Sequence, residues 1–175
     1  MEYLQLIEYR YARIDEIELL KSFLWMHGPN EWNHLTEASV NEEFSLMEQG
    51  SARTIIATEN TKLVGLAVVI DEESTPSYVS KYSDAGAILF IGDVVVSAQH
   101  AGKGIATTML EKCIADAREK KTNNVLIERH EENLASAGMM KKAGFEIIDT
   151  FYDPNKRTVG SQNSVILKYT IKPSH

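Results

Sequence analysis

Residues 88–106 constrain the chain more than any other stretch. Residues 88–96 are an apolar run broken only by Gly92 and Asp93, ending on Val94-Val95-Val96. Ser97-Ala98-Gln99-His100-Ala101-Gly102-Lys103-Gly104 follows, and Ile105 and Ala106 open a long amphipathic segment. That succession reads as a buried strand, a glycine turn and a helix N-terminus. Glycines let the backbone approach a phosphate closely, and the first helical turn leaves N–H groups free to point at it. The segment is therefore an expected anion cradle, and a phosphate-bearing ligand is expected in it.

The chain has 175 residues and reads as one domain over 1–175. Its formal net charge is −7, with no block of Lys or Arg. That balance argues against nucleic acid or an anionic membrane surface as the main partner, and leaves room for a cationic substrate such as an amine. Cys113 is the single cysteine, so no intrachain disulfide can form. It stands at helical spacing among Met109, Leu110 and Ala117, which suits a core thiol better than a nucleophile. No apolar run reaches the roughly 18 residues of a membrane span. No signal peptide is visible, and a cytoplasmic location is expected.

Hydrophobic periodicity gives the remaining elements. Residues 3–11 alternate as a strand, and Asp15 is expected to cap a helix with Ile17, Leu20, Phe23 and Leu24 on its apolar face. His27-Gly28-Pro29-Asn30 ends it. A second helix is expected over 36–49, buried through Val40, Phe44 and Met47 and stopped by Gly50. Residues 53–58 and 63–70 read as a hairpin joined by Glu59-Asn60-Thr61-Lys62. Residues 71–86 read as a polar loop, and the strand over 88–96 comes next. A helix over 105–121, a strand over 125–130, an Asn133-capped helix ending at Gly144, and strands over 145–152 and 164–171 complete the order. The mixture predicts a mixed sheet with helices on both faces rather than a purely parallel one.

With these residues in place, the chain resembles the GNAT superfamily of acyl-CoA-dependent N-acetyltransferases. The family's pyrophosphate loop commonly reads Arg-Gly-Lys-Gly-Ile-Gly/Ala. Here it reads Ala101-Gly102-Lys103-Gly104-Ile105-Ala106, departing only at Ala101. A second register beginning on Gln99 would supply the family's alternative Gln. The Leu-x-Val of the family's fourth strand corresponds to Val94-Val95-Val96. Downstream, the pattern Asn-x-x-Ala-x-x-x-Tyr-x-x-x-Gly-Phe is matched at Asn133, Gly144 and Phe145, with Ser136 for Ala and Met140 for Tyr. Read alone, that stretch is also an Asn-capped helix closed by glycine. The resemblance spans the whole element order. It implies an α/β (mixed α+β) fold: a mostly antiparallel sheet of about seven strands, flanked by about four helices and splayed between the fourth and fifth strands.

The resemblance also implies the chemistry. Acetyl-CoA would be the donor, its pantetheine arm pairing with the backbone of Val94, Val95 and Val96 like an added strand. Amides of Gly102, Lys103, Gly104, Ile105 and Ala106 would hold the pyrophosphate, and Asn133 would bond the arm from the other side. Lys103 either adds charge near a phosphate or is a solvated turn lysine. An alkyl ammonium has a pKa near about 10, so a base must remove a proton before it attacks the thioester. Some family members carry Glu five residues before the motif Asn, which makes Glu128 the first candidate base. Asp93, on the strand beside the thioester, is the second. A polar residue on a solvent-facing strand edge is the plain alternative for each. Met140 replaces a Tyr that often protonates the departing thiolate, and methionine has no proton to donate. Ser136 and Tyr152 are possible substitutes.

Trp25 and Trp32 read as core residues or as acceptor-pocket walls, and His130 as a partly exposed strand end. The five histidines show no paired metal spacing, so no metal site is expected. The acceptor would be a small-molecule amine or a protein N-terminus, and the β-rich C-terminus could support a homodimer. The alternative in a different class is a non-catalytic CoA-binding sensor, favoured by Met140 and Ala101. A nucleotide switch domain fits poorly, because the Gly-x-x-x-x-Gly-Lys-Ser/Thr spacing is missing.

Overall fold

A computed structural model describes residues 6–82 and 87–172. Its elements are β1 (Ile7–Tyr11), α1 (Ile17–His27), α2 (Glu37–Glu48), β2 (Ala52–Glu59), β3 (Lys62–Asp71), β4 (Ile88–Val96), α3 (Ile105–Glu119), β5 (Asn124–His130), α4 (Leu134–Lys142), β6 (Glu146–Tyr152) and β7 (Asn163–Thr170). Residues 3–5 of the expected first strand and 83–86 of the expected loop lie outside the described residues.

The strands form one seven-stranded sheet in the order β1-β2-β3-β4-β5-β7-β6. Every pairing is antiparallel except β4 with β5. Alternation along the strands divides the apolar side chains between two cores. Ile56, Leu66, Val68, Phe90 and Leu126 pack with α1 and α2 through Leu20, Leu24, Val40 and Phe44. Ala57, Ala67, Leu89, Val125 and Ile127 pack with α3 and α4 through Met109, Leu110, Cys113 and Met140. Two-sided burial of this kind makes the central strands read as continuous apolar runs.

Turn chemistry explains several boundaries. Glu59 pairs with Lys62, so the β2–β3 hairpin has a two-residue tip, with Asn60 and Thr61 at φ of 51° and 67°. Two successive left-handed residues are what a type I′ turn requires. Thr36 caps α2, its Oγ1 accepting the Ser39 N–H at 3.0 Å. Asp15 does not cap α1 as expected. Residues Ile14–Glu16 form a 3₁₀ turn, and the Glu16 carboxylate accepts the Arg13 N–H at 2.8 Å. The longer Glu side chain reaches back over the turn while Asp15 bonds Arg13 Nε at 3.2 Å. The expected loop after β3 also contains order: 3₁₀ turns over Glu72–Ser74 and Ser77–Tyr82, the second burying Val79.

Two irregularities in β4 shape the centre of the sheet. Ile91 pairs with Val69 and Asp93 with Val68, so Gly92 is an extra, bulged residue. The bulge shifts the alternation: Ile91 lies with the α3–α4 core, and so, three residues on, does Val94. Asp93 is thereby turned toward α2. Pairing of β4 with β5 runs only from Ile88↔Asn124 to Ile91↔Ile127. Beyond that point the strands part, while β5 stays paired with β7 as far as His130↔Ser164. Among the described residues no helix is long and apolar enough to cross a membrane.

Candidate active site

The parting of β4 and β5 opens two adjoining cavities. The larger, about 510 Å³, lies on the α2 side and is walled by α2, β4 and the β6–β7 loop. The smaller, about 70 Å³, lies between the strands and α4, where Asn133, Ser136 and Met140 line it. Asp93 and Glu128 line both, one on each side of the gap. The larger volume falls in the range of small-molecule sites.

The glycine turn has the geometry its sequence predicted. Gly102 and Gly104 take φ of 79° and 78°, and a Cβ at either would meet open space. Left-handed backbone, not crowding, therefore selects glycine there. The first intrahelical bond of α3 is Thr108 N–H to Gly104 O at 3.0 Å, so the amides before it point out of the helix end. Lys103 is exposed. Asn133 is buried and caps α4, its Oδ1 accepting the Ser136 N–H at 3.2 Å. Its Nδ2 has no protein partner among the described residues.

Glu128 is held on all sides. Its side chain is 3% exposed. Tyr78 donates to its Oε2, while Lys156 Nζ and Arg157 Nη2 reach its Oε1 at 3.0 and 3.2 Å. Burial alone would raise this carboxyl, but the Lys156 charge, the Tyr78 hydrogen bond and the Arg157 charge outweigh it and hold the group below its ordinary value. Tyr78 is driven the other way, by burial and by the Glu128 charge. The Arg157 guanidinium is fixed in turn by Ser164 Oγ at 2.9 Å.

Asp93 is in the opposite state. Burial pushes its carboxyl up, against a hydrogen bond from Glu43 and the Lys156 charge. Glu43 on α2 lies well above its ordinary value, through burial, the Asp93 charge and the bond to Asp93. Glu43 was not singled out by the sequence. It sits within the Val40–Phe44–Met47 stripe, and a carboxylate on an apolar helix face was its only signal. Lys156 and Arg157 were missed because their loop shows no periodicity.

Other expectations resolve plainly. Met140 is buried at the wall of the small cavity beside Ser136, whereas the Tyr152 hydroxyl donates to Gln162 Oε1 at 3.1 Å on an exposed edge strand. Cys113 is fully buried, and burial pushes its thiol up, away from thiolate. His130 is not a partly exposed strand end but is fully buried. Its Nδ1 accepts the Glu132 N–H at 3.0 Å and its Nε2 lies 2.8 Å from Val159 O, which fixes the orientation of the ring. Trp32 packs on that ring at 4.8 Å, and Trp25 is 42% exposed on α1, outside the core. The buried Arg129 donates Nη1 to the carbonyls of His130 and Glu131, leaving its Nε without a partner.

The model of the acetyltransferase (GNAT) family matches residues 17–145. The chain belongs to that family. Acetyl-CoA is the donor this family uses. YncA of Salmonella typhimurium, solved with its cofactor acetyl-CoA, superposes with a TM-score of 0.72 at 16% identity, covering 97% of this chain and 96% of that one. An agmatine N-acetyltransferase gives 0.74 at 14% identity, over 94% of this chain and 99% of its own. A ribosomal-protein-alanine N-acetyltransferase from Brucella melitensis gives 0.69 at 17% identity, over 94% and 99%. At these identities the likeness is one of fold. No curated protein matches the chain in sequence.

The residues present suit acetyl-CoA. The two left-handed glycines leave an open cradle at a helix N-terminus, and among the described residues the β5-facing edge of β4 is unpaired past Ile91.

Proposed function

We propose that this GNAT acetyltransferase, acting as one domain in the cytoplasm, acetylates a primary amine by direct attack within a ternary complex. The observation that carries the reading is the position of Asp93 and Glu128 at the junction of the two cavities. Bound acetyl-CoA supplies an activated acetyl thioester. Gly102, Lys103, Gly104, Ile105 and Ala106, preceded by Ala101, hold its pyrophosphate. The backbone of Val94, Val95 and Val96 lines one side of its arm, and Asn133 Nδ2 donates to the other. Met140 closes the pocket behind it.

The amine enters through the larger cavity. Asp93 takes its proton: a carboxyl raised by burial is a stronger base than an ordinary aspartate. Glu128, held ionised by Lys156 and Arg157, is the weaker base and serves as the fixed negative charge that orients the ammonium. In the overall change nitrogen gains the acetyl carbon, the C–S bond breaks, and a proton ends on the CoA sulfur. Ser136, which lines the small cavity, would pass that proton where Met140 cannot. A thiol pKa of about 8.5 makes that demand modest. A covalent step through a thiol does not fit, because the single thiol, Cys113, is buried in the core.

Acceptor-dependent release of free thiol from acetyl-CoA, screened over agmatine, other small amines and an N-terminal alanyl peptide, tests the reading. Asp93→Asn should lose about 10²-fold or more in kcat while binding acetyl-CoA normally. Full turnover in that variant would remove Asp93 as base.

A further inference from the structure

The Glu43 carboxyl is in a position that an ionised group should not tolerate. Its Oε1 is sealed from solvent and has no hydrogen-bond donor among the described residues. A buried acceptor without a donor carries its full desolvation penalty. Its neighbour is a second carboxyl, Asp93, within hydrogen-bonding reach. Two carboxylates can bond each other only through a proton held between them.

The backbone has made room for this contact. A Cβ on Gly92 would come within 2.8 Å of Glu43 Oε1, so a side chain at the bulge would displace that carboxyl from its present position. That same bulge turns Asp93 toward α2. Nothing about packing calls for a carboxylate on a helix face otherwise made of Val40, Phe44 and Met47.

We propose that Glu43 and Asp93 act as a single unit that shares one proton at rest and, once that proton is lost, takes up the acceptor's, with Glu43 the positioning residue of the pair. The role in transfer rests on Asp93 being the base, while the shared proton does not. Like charges held together lose their last proton only above the ordinary carboxylate range. The doubly ionised pair is thus a base matched to neutral or mildly alkaline pH. When an ammonium enters, one N–H bond breaks and its electron pair stays on nitrogen. An O–H bond forms, and the pair passes from two negative charges to one. Water removes that proton after the product leaves. The charged groups facing the pair are Lys156, Arg157 and Asp153 from the β6–β7 loop, Glu128 from β5 and His34 from the α1–α2 connection. Lys156 opposes the upward shift of both carboxyls, and its ion pair with Glu128 limits that effect.

The test is a carboxyl ¹³C NMR titration of the ligand-free protein, labelled at Asp and Glu. The two side chains should titrate together, with one proton retained above the ordinary carboxylate range. In Glu43→Gln that late, shared step should vanish, and Asp93 should titrate in one step of its own below it. Asp93→Asn gives the converse readout on Glu43, which keeps the test open should either variant fold poorly. Independent titration of both groups in the ordinary range, or an unmoved Asp93 in Glu43→Gln, overturns the pair. A coupled titration together with an Asp93→Asn enzyme at full turnover would keep the pair and sink the assignment of Asp93 as base.

Discussion

Asp93 and Glu128 face one gap between two strands, yet their surroundings drive them apart. Glu128 has three donors and a low proton affinity; Asp93 has a carboxyl for a neighbour and a high one. Both positions were legible in the sequence, one beside the fourth-strand valines and one five residues before Asn133. Which of them suits a base was not, because it depends on Glu43, Lys156 and Arg157, distant in sequence and without a motif. Glu128→Gln should therefore cost stability as well as turnover. It strips a buried guanidinium of its counter-charge, a loss of about 3 kcal/mol in urea unfolding. A variant as stable as the parent would show that the Arg157 pair contributes nothing. Met140→Tyr probes the other wall. The small cavity beside Met140 has room for part of a phenol, so the variant should fold at a cost of about 1 kcal/mol and turn over faster with unchanged acetyl-CoA affinity. Lost acetyl-CoA binding would mean that the thioester does not lie there.

Periodicity and turn residues made the element order readable, since each strand and helix carries its own apolar pattern. What they could not reveal is how β4 departs from regularity. Gly92-Asp93 inside an apolar run signals a defect, but its identity as a bulge, and the end of β4–β5 pairing at Ile91, arise from contacts between strands. The splay itself was expected only by resemblance. The helix α1 start was misread because a capping role was assigned to the nearer Asp15, while Glu16 has the reach to close the turn. The glycine turn was the most legible element of the site, and it can be tested as an element. Gly104 is the N-cap of α3 in left-handed backbone. Gly104→Ala would hold a side chain in that region at a cost of about 1 kcal/mol and tilt the amides of the first turn. Calorimetric titration should show acetyl-CoA binding weakened roughly fivefold, that strain expressed as affinity. Unchanged affinity would separate the turn from the pyrophosphate.

Over the whole molecule the buried carboxyls couple the cleft to stability. Asp93 and Glu43 bind protons more tightly folded than unfolded. Stability from that source is therefore complete below the ordinary carboxylate range and drains away as pH rises through the raised values. Glu128 works in reverse: its stabilisation is present above the ordinary range and is lost as pH falls through its lowered value. The contributions of these three groups together are greatest on the acid side of neutrality. Glu43→Gln removes the Glu43 share of the first slope and leaves the second. The variant should therefore melt higher than the parent at pH 8 by about 2–4 °C for each kcal/mol relieved. Near pH 4, where the parent pair is protonated, the gain should be small. A chain that stores such a cost at its cleft needs a ligand to offset it, and an ammonium between two carboxylates is suited to do so. Saturating amine should accordingly raise the parent's melting temperature more at pH 8 than at pH 5, and should raise that of Glu43→Gln less. An equal rise in both proteins at both pH values would mean that the acceptor does not meet the pair.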